Sequence, residues 1–304
     1  MNPRLKNLLL LHVIVFIFGF TGIIGKLTTI NAERMVFWRT VIASISLGAF
    51  LLAYRKNQLL PAKALARQAF IGLLAAAHWI TFFASIKASN VSIALATIAS
   101  TALFVSLYEP LLLKKKFDWR ESFLGLAVII GLCIIFSVEG EYVLGIVLAL
   151  ISAALAGLFS TLNAIEVRKY RALTISFNEM IFAAIFTALY LGFNGQLNVD
   201  LFIMDRYDWL WLILLGTVAT AFAFVISVEV LRALSPFTVA LTINLEPVYS
   251  ILIALLLFPE TEVMTGWFYL GAAIILGALF VDAYMKKNAL NPEEVGSDTV
   301  ANEP

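Results

Sequence analysis

Residues 236–260 read P-F-T-V-A-L-T-I-N-L-E-P-V-Y-S-I-L-I-A-L-L-L-F-P-E. The run is apolar enough and long enough to cross a bilayer, which takes about 20 residues. Near its middle stand a carboxyl group and a proline, Glu246 and Pro247. A charge at the bilayer centre costs roughly 2.5–3.5 kcal/mol on insertion scales. Proline has no backbone N–H, so the carbonyl of Ile243 loses its helical partner and a kink is expected. A costly group beside a weakened backbone marks this position as the centre of a membrane protein.

Composition agrees. The 304 residues are 62% hydrophobic and 13% charged, with a mean hydropathy of +0.94, which excludes an ordinary soluble protein. A net charge of +1 gives no call for nucleic acid. Cys133, the single cysteine, lies in an apolar run and reads as a small buried residue. No H-E-x-x-H, no G-x-S-x-G, no paired His/Cys spacing and no glycine-rich phosphate loop occurs, so neither an enzyme, a metal nor a cofactor is expected. The first apolar run is too long for a signal peptide and lacks a cleavage site, so it reads as an uncleaved span.

Spanning runs can be drawn at 7–25, 35–54, 68–87, 91–113, 121–138, 142–164, 172–193, 208–231, 236–258 and 264–284. Runs three and four, and runs eight and nine, are close enough to form tight helical hairpins. Residues 286–304 read as a disordered cytoplasmic tail. With the N-terminus in the cytoplasm, sixteen of the 21 Lys and Arg residues fall in inside segments, four (Lys26, Arg34, Lys87 and Arg206) fall outside, and Arg39 lies within a span. Positive charge favours the inside, so both termini are expected to be cytoplasmic.

The halves repeat. Gly125–Gly131 parallels Gly271–Gly277, Ala88–Thr97 parallels Ala233–Thr242, and Phe37-Trp38-Arg39 parallels Phe177-Asn178-Glu179. Five spans per half is an odd number, so the second half is expected to be inverted, with a site near the midplane between halves. The expected architecture is an all-α membrane protein of ten helices around a central cavity. Its repeats would cover 7–138 and 142–285.

Several of these pieces resemble the drug/metabolite transporter superfamily, and within it the EamA-type proteins. They are Gly19 and Lys26 around the end of span one, Phe37-Trp38-Arg39, and the Ser/Thr-rich start of span four. Leu245-Glu246-Pro247-Val248, closed by Leu257-Phe258-Pro259-Glu260 and W-F-Y-L-G at 267–271, is the most specific. Pro259 stands where the family usually has glycine. The resemblance covers about residues 7–285. It implies a multi-pass protein of the bacterial inner membrane that moves small metabolites, often amino acids or related amines and carboxylates, commonly outward. A passive facilitator is the alternative. The family's proline midway along span four is absent; Thr101-Ala102 stand where Glu246-Pro247 stand in the second half.

Glu246 is the leading candidate, either holding a substrate ammonium group or exchanging a proton, which is the candidate coupling ion. His78, with Trp79 and Phe82, places an imidazole beside an aromatic wall in span three. Asn163, Asn244 and Thr101 are polar groups within spans that line a pocket or bond across helices. Arg39 either serves as a gate or counter-charge or snorkels to the outer interface. Glu179 mirrors it near the inner edge of span seven. Glu109 reads as an interfacial charge, Arg168 as the local partner of Glu166, and Arg232 as that of Glu229. The expected partners are the bilayer and a small-molecule substrate, and the sequence sets no oligomeric state.

Overall fold

The computed structural model describes residues 3–54, 59–114, 116, 119–138 and 140–289. Arg55, Lys56, Lys115, Glu139 and residues 290–304 lie outside them. In chain order come α1 (Pro3–Leu27), α2 (Ala32–Ala53), α3 (Ala62–Ala88), α4 (Val91–Ile98), α5 (Thr101–Leu113), α6 (Trp119–Val138) and α7 (Val143–Glu166). They are followed by α8 (Ala172–Phe193), α9 (Arg206–Gly216), a π-helical turn (Thr217–Phe222), α10 (Ala223–Val230), α11 (Pro236–Ile243), α12 (Glu246–Leu257), α13 (Pro259–Glu262) and α14 (Gly266–Ala289). Eight segments among the described residues are long and apolar enough to cross a membrane. The helices α6 and α14 pack on each other. Residues 286–289, expected in the tail, continue α14.

Glycine sets the closest approaches. A methyl group on Gly131 would fall 2.7 Å from the carbonyl oxygen of Gly271, and one on Gly271 would fall 2.8 Å from that of Gly131. Only hydrogen lets α6 and α14 meet this closely. Gly277 has nothing nearby and plays no such part. Cys133 is exposed rather than buried. The α6 face against α14 carries Gly131 and Ile135, and a residue midway between them points away from it.

Two spans are broken at equivalent places. The break between α4 and α5 falls at Ala99-Ser100, and that between α11 and α12 at Asn244-Leu245. The second half uses proline to release the carbonyl of Ile243. The first half has no proline there, and the Thr101 hydroxyl donates to the carbonyl of Ile98 at 2.7 Å, a side chain competing for a helical carbonyl. The same break is thus made by different chemistry.

The broken spans also cap each other. Glu262, just beyond α12, accepts from the backbone N–H groups of Val91 and Ser92 at 3.2 and 2.9 Å and from the Ser92 hydroxyl at 2.8 Å. Glu109, near the end of α5, accepts from the N–H of Phe237 at 2.7 Å. Each carboxylate meets the first turn of the other broken span, where N–H groups lack helical partners and the dipole favours negative charge. Glu109 is 6% exposed, so it is a buried cap and not an interfacial charge.

Candidate functional site

A cavity of about 140 Å³ lies where the breaks meet the middle of α1, α2, α3, α7 and the π turn. That volume is of the order that holds a benzene-sized molecule. Glu246 and Pro247 open α12 at its wall, and Asn244 and Thr101 line it from the two breaks. His78, Trp79 and Phe82 contribute from α3, with Phe159 and Phe224 completing an aromatic side. Asn163 lines it from α7 and Arg39 from α2. From there the lining runs through Val228 and Leu231, toward the end where α10 gives way to α11.

Arg39 is 3% exposed and does not snorkel. Its Nε donates to Thr220 Oγ1 at 3.0 Å, and its guanidinium lies 4.3 Å from the Trp79 ring centroid and 5.5 Å from that of Phe83. The π turn makes this possible. Thr220 donates to the carbonyl of Leu215, five residues back, at 2.6 Å, which holds its oxygen toward Arg39. Such π insertions gather at functional sites, and the sequence carried no signal for this one. With Nε engaged and one face stacked, the terminal nitrogens remain for the cavity.

Glu246 is 9% exposed. Its Oε1 receives only a long contact from Thr21 Oγ1, at 3.5 Å. Arg39 and Glu246 interact electrostatically, yet no ion pair joins them among the described residues. An acidic and a basic side chain therefore line one cavity without forming an ion pair. His78 is fixed by Ser152, whose hydroxyl lies 2.8 Å and whose carbonyl lies 3.0 Å from Nδ1, and its ring stacks on Phe82 at 6.3 Å between centroids.

Glu179 does not line the cavity. It lies behind Asn163, whose Nδ2 donates to its Oε2 at 3.1 Å. The halves treat Arg39 and Glu179 alike in backbone terms. A methyl on Gly216 of α9 would fall 3.1 Å from the Arg39 carbonyl oxygen, and one on Gly72 of α3 would fall 2.6 Å from that of Glu179. The equivalent positions thus carry opposite charges. Glu229 pairs with Arg232 at 3.0 Å as the sequence indicates. Glu166 instead pairs with Arg67 of α3 at 2.7 Å.

The opposite end of the bundle is closed. Lys26, at the end of α1, pairs with Glu262 at 2.6 Å and also donates to Thr261. Asp208 accepts from the backbone and hydroxyl of Thr29 at 2.9 and 2.5 Å, and Lys87 donates to the carbonyl of Thr28. These contacts tie α1, α3, α4, α9 and α13 together beyond the cavity.

The model of the EamA-like transporter family matches residues 5–137 and again 143–282. The chain belongs to the EamA-like transporter family. Membership makes it a multi-pass membrane protein of a family that transports small molecules. A solved crystal structure superposes on it with a TM-score of 0.70 at 16% identity, covering 93% of this chain and 98% of the other. At that identity the likeness supports the fold alone. No curated protein matches the chain.

Proposed function

We propose that this EamA-like protein is a secondary transporter with ten spans and both termini in the cytoplasm. It moves a small amino acid or related amine or carboxylate by alternating access, outward across a bacterial inner membrane. The observation that carries the reading is an acidic and a basic side chain, Glu246 and Arg39, lining one cavity with no ion pair between them. Burying charge is tolerated where a ligand completes it. A solute bearing an ammonium group offers Glu246 a partner, and one bearing a carboxylate offers Arg39 two terminal nitrogens in a fork. The aromatic side accepts the apolar remainder of the solute.

The Lys/Arg-poor end, sealed by Lys26 and Glu262, is the outer one under this topology, and the cavity lining runs toward the Lys/Arg-rich inner end. Closure at the outer end by side-chain contacts supports alternating access over an open pore. Breaks in both central spans supply places where the halves can pivot.

The test is transport in proteoliposomes of a panel of amino acids, their decarboxylated amines and their deaminated carboxylates, at two pH values. Solute preloaded on the far side should accelerate uptake of labelled solute, which an open passive channel does not do. Glu246→Gln should lose at least about tenfold in uptake, since a charge-assisted contact is worth roughly 1.5–3 kcal/mol. Unchanged uptake removes Glu246 from the site.

A further inference from the structure

Several buried polar atoms without a partner lie on three helices that pack together. Among the described residues they include Asn163 Oδ1, Glu166 Oε2, Glu179 Oε1, Ser176 Oγ and Gln68 Nε2. These belong to α3, α7 and α8, and α3 packs on both of the others. Asn163 and Glu166 share a face of α7, three residues apart, and Ser176 and Glu179 do so on α8. Polar atoms buried in this way commonly take ordered water as their partner.

Glu179 lies within this cluster, 0% exposed. Its hydrogen bond from Asn163 leaves Oε1 open. The charged group that acts on it is another carboxylate, Glu166 of α7, which is paired with Arg67 of α3. From α2, the buried residues beyond Arg39 are Thr40, Ala43, Leu47 and Leu51, none of them titratable, and Arg39 itself sits in the cavity. On α10, Glu229 is held by Arg232 at the surface. Among the described residues no cation bonds Glu179, and the donor to it there, Asn163, also lines the cavity.

We infer that Glu179 binds and releases the coupling proton, and that Asn163 links its protonation to occupancy of the cavity. The inference rests on the transporter reading. The primary amide has a donor at one end and an acceptor at the other. In the structure Asn163 Nδ2 donates to Glu179 Oε2, the contact that an ionised carboxylate accepts. When a proton adds to the carboxylate, the new O–H donates to Asn163 Oδ1, and the amide turns over. The turn carries the change to a residue that also lines the cavity, so solute occupancy and protonation of Glu179 bias each other. On release the proton passes to water in the polar cluster, toward the Arg67–Glu166 end.

Two measurements test this. The first follows the infrared band of a protonated buried carboxyl across pH in lipid-embedded protein, with no solute required. A titrating band is expected in wild type and in Glu246→Gln, absent from Glu179→Gln and displaced in Asn163→Leu. A band that persists in Glu179→Gln, or one unmoved in Asn163→Leu, overturns the inference. The second loads proteoliposomes with the panel solute that wild type carries, in radiolabelled form, and imposes a pH gradient. Glu179→Gln should keep solute exchange and lose at least tenfold of gradient-driven accumulation. Accumulation at the wild-type level overturns the inference and leaves the transporter reading intact. A wild type that carries nothing, yet shows the infrared titration, refutes the transporter reading instead.

Discussion

Truncating Glu262 should unseal the closed end of the bundle. Its side chain is 0% exposed and makes the 2.6 Å pair with Lys26, together with three contacts to the first turn of α4. Loss of a helix N-cap costs about 0.5–2 kcal/mol. Breaking a buried ion pair costs about 3–5 kcal/mol, but Lys26 is 22% exposed, and water recovers part of its solvation. Taken together, Glu262→Ala should weaken the closed arrangement by about 3 kcal/mol. In the arrangement open at this end both groups are hydrated, so that state loses little. About 3 kcal/mol is roughly a hundredfold change in the ratio of the two states. The assay uses a Cys133→Ser background carrying Ala219→Cys, which places a thiol on the cavity wall. A membrane-impermeant maleimide added on the Lys26 side should label Glu262→Ala far faster than its parent. Glu262→Gln, which keeps an acceptor for α4 but loses the charge, should fall between. Equal labelling in all three would refute the reasoning that these contacts hold that end shut.

Other substitutions probe the remaining contacts. Arg39→Gln should weaken binding of carboxylate-bearing solutes by 10- to 100-fold and leave amines lacking a carboxylate less affected, as the panel assay reads directly. Gly72→Ala should lower thermal stability by about 1–3 kcal/mol, because the new methyl falls 2.6 Å from the backbone carbonyl of Glu179; thermal unfolding monitored by fluorescence checks this. Thr101→Val keeps the size of the side chain but removes the donor to Ile98. It should straighten the α4–α5 break and slow transport without loss of folded protein, measured as initial rate against yield.

The bundle was legible because membrane insertion is a local property. A run of about 20 apolar residues is a span whatever its neighbours do, and the hairpin turns at Ser89-Asn90 and Ser235 follow from short polar gaps between such runs. The kink at Pro247 is equally local, since proline removes its own hydrogen bond. The break before Thr101 was hidden because a threonine within a span has two uses, and only the backbone path shows that its hydroxyl takes the Ile98 carbonyl. Among candidate residues, Glu246, His78, Trp79, Phe82, Asn163, Asn244, Thr101, Pro247 and Arg39 meet at one cavity. Their chemistry set them apart, because polar groups in lipid are costly and therefore few.

What sequence could not supply was partnership. Arg168 lies two residues from Glu166, yet Glu166 pairs with Arg67, 99 positions away. Glu109 reads as a charge near a helix end, but the turn it caps begins at Pro236 in the other half of the chain. Arg39 sits at a depth from which a long side chain reaches either water or the interior; Thr220, on a π turn with no sequence signature, decided for the interior. By itself the sequence determined the apolar spans, their repetition and the few costly polar groups, because each follows from residues within a turn or two. Only the tertiary structure decided which of those groups meet a cavity, which seal an end and which lie behind an amide. A side-chain contact across helices depends on how the helices pack, and residues far apart in the chain jointly set that packing.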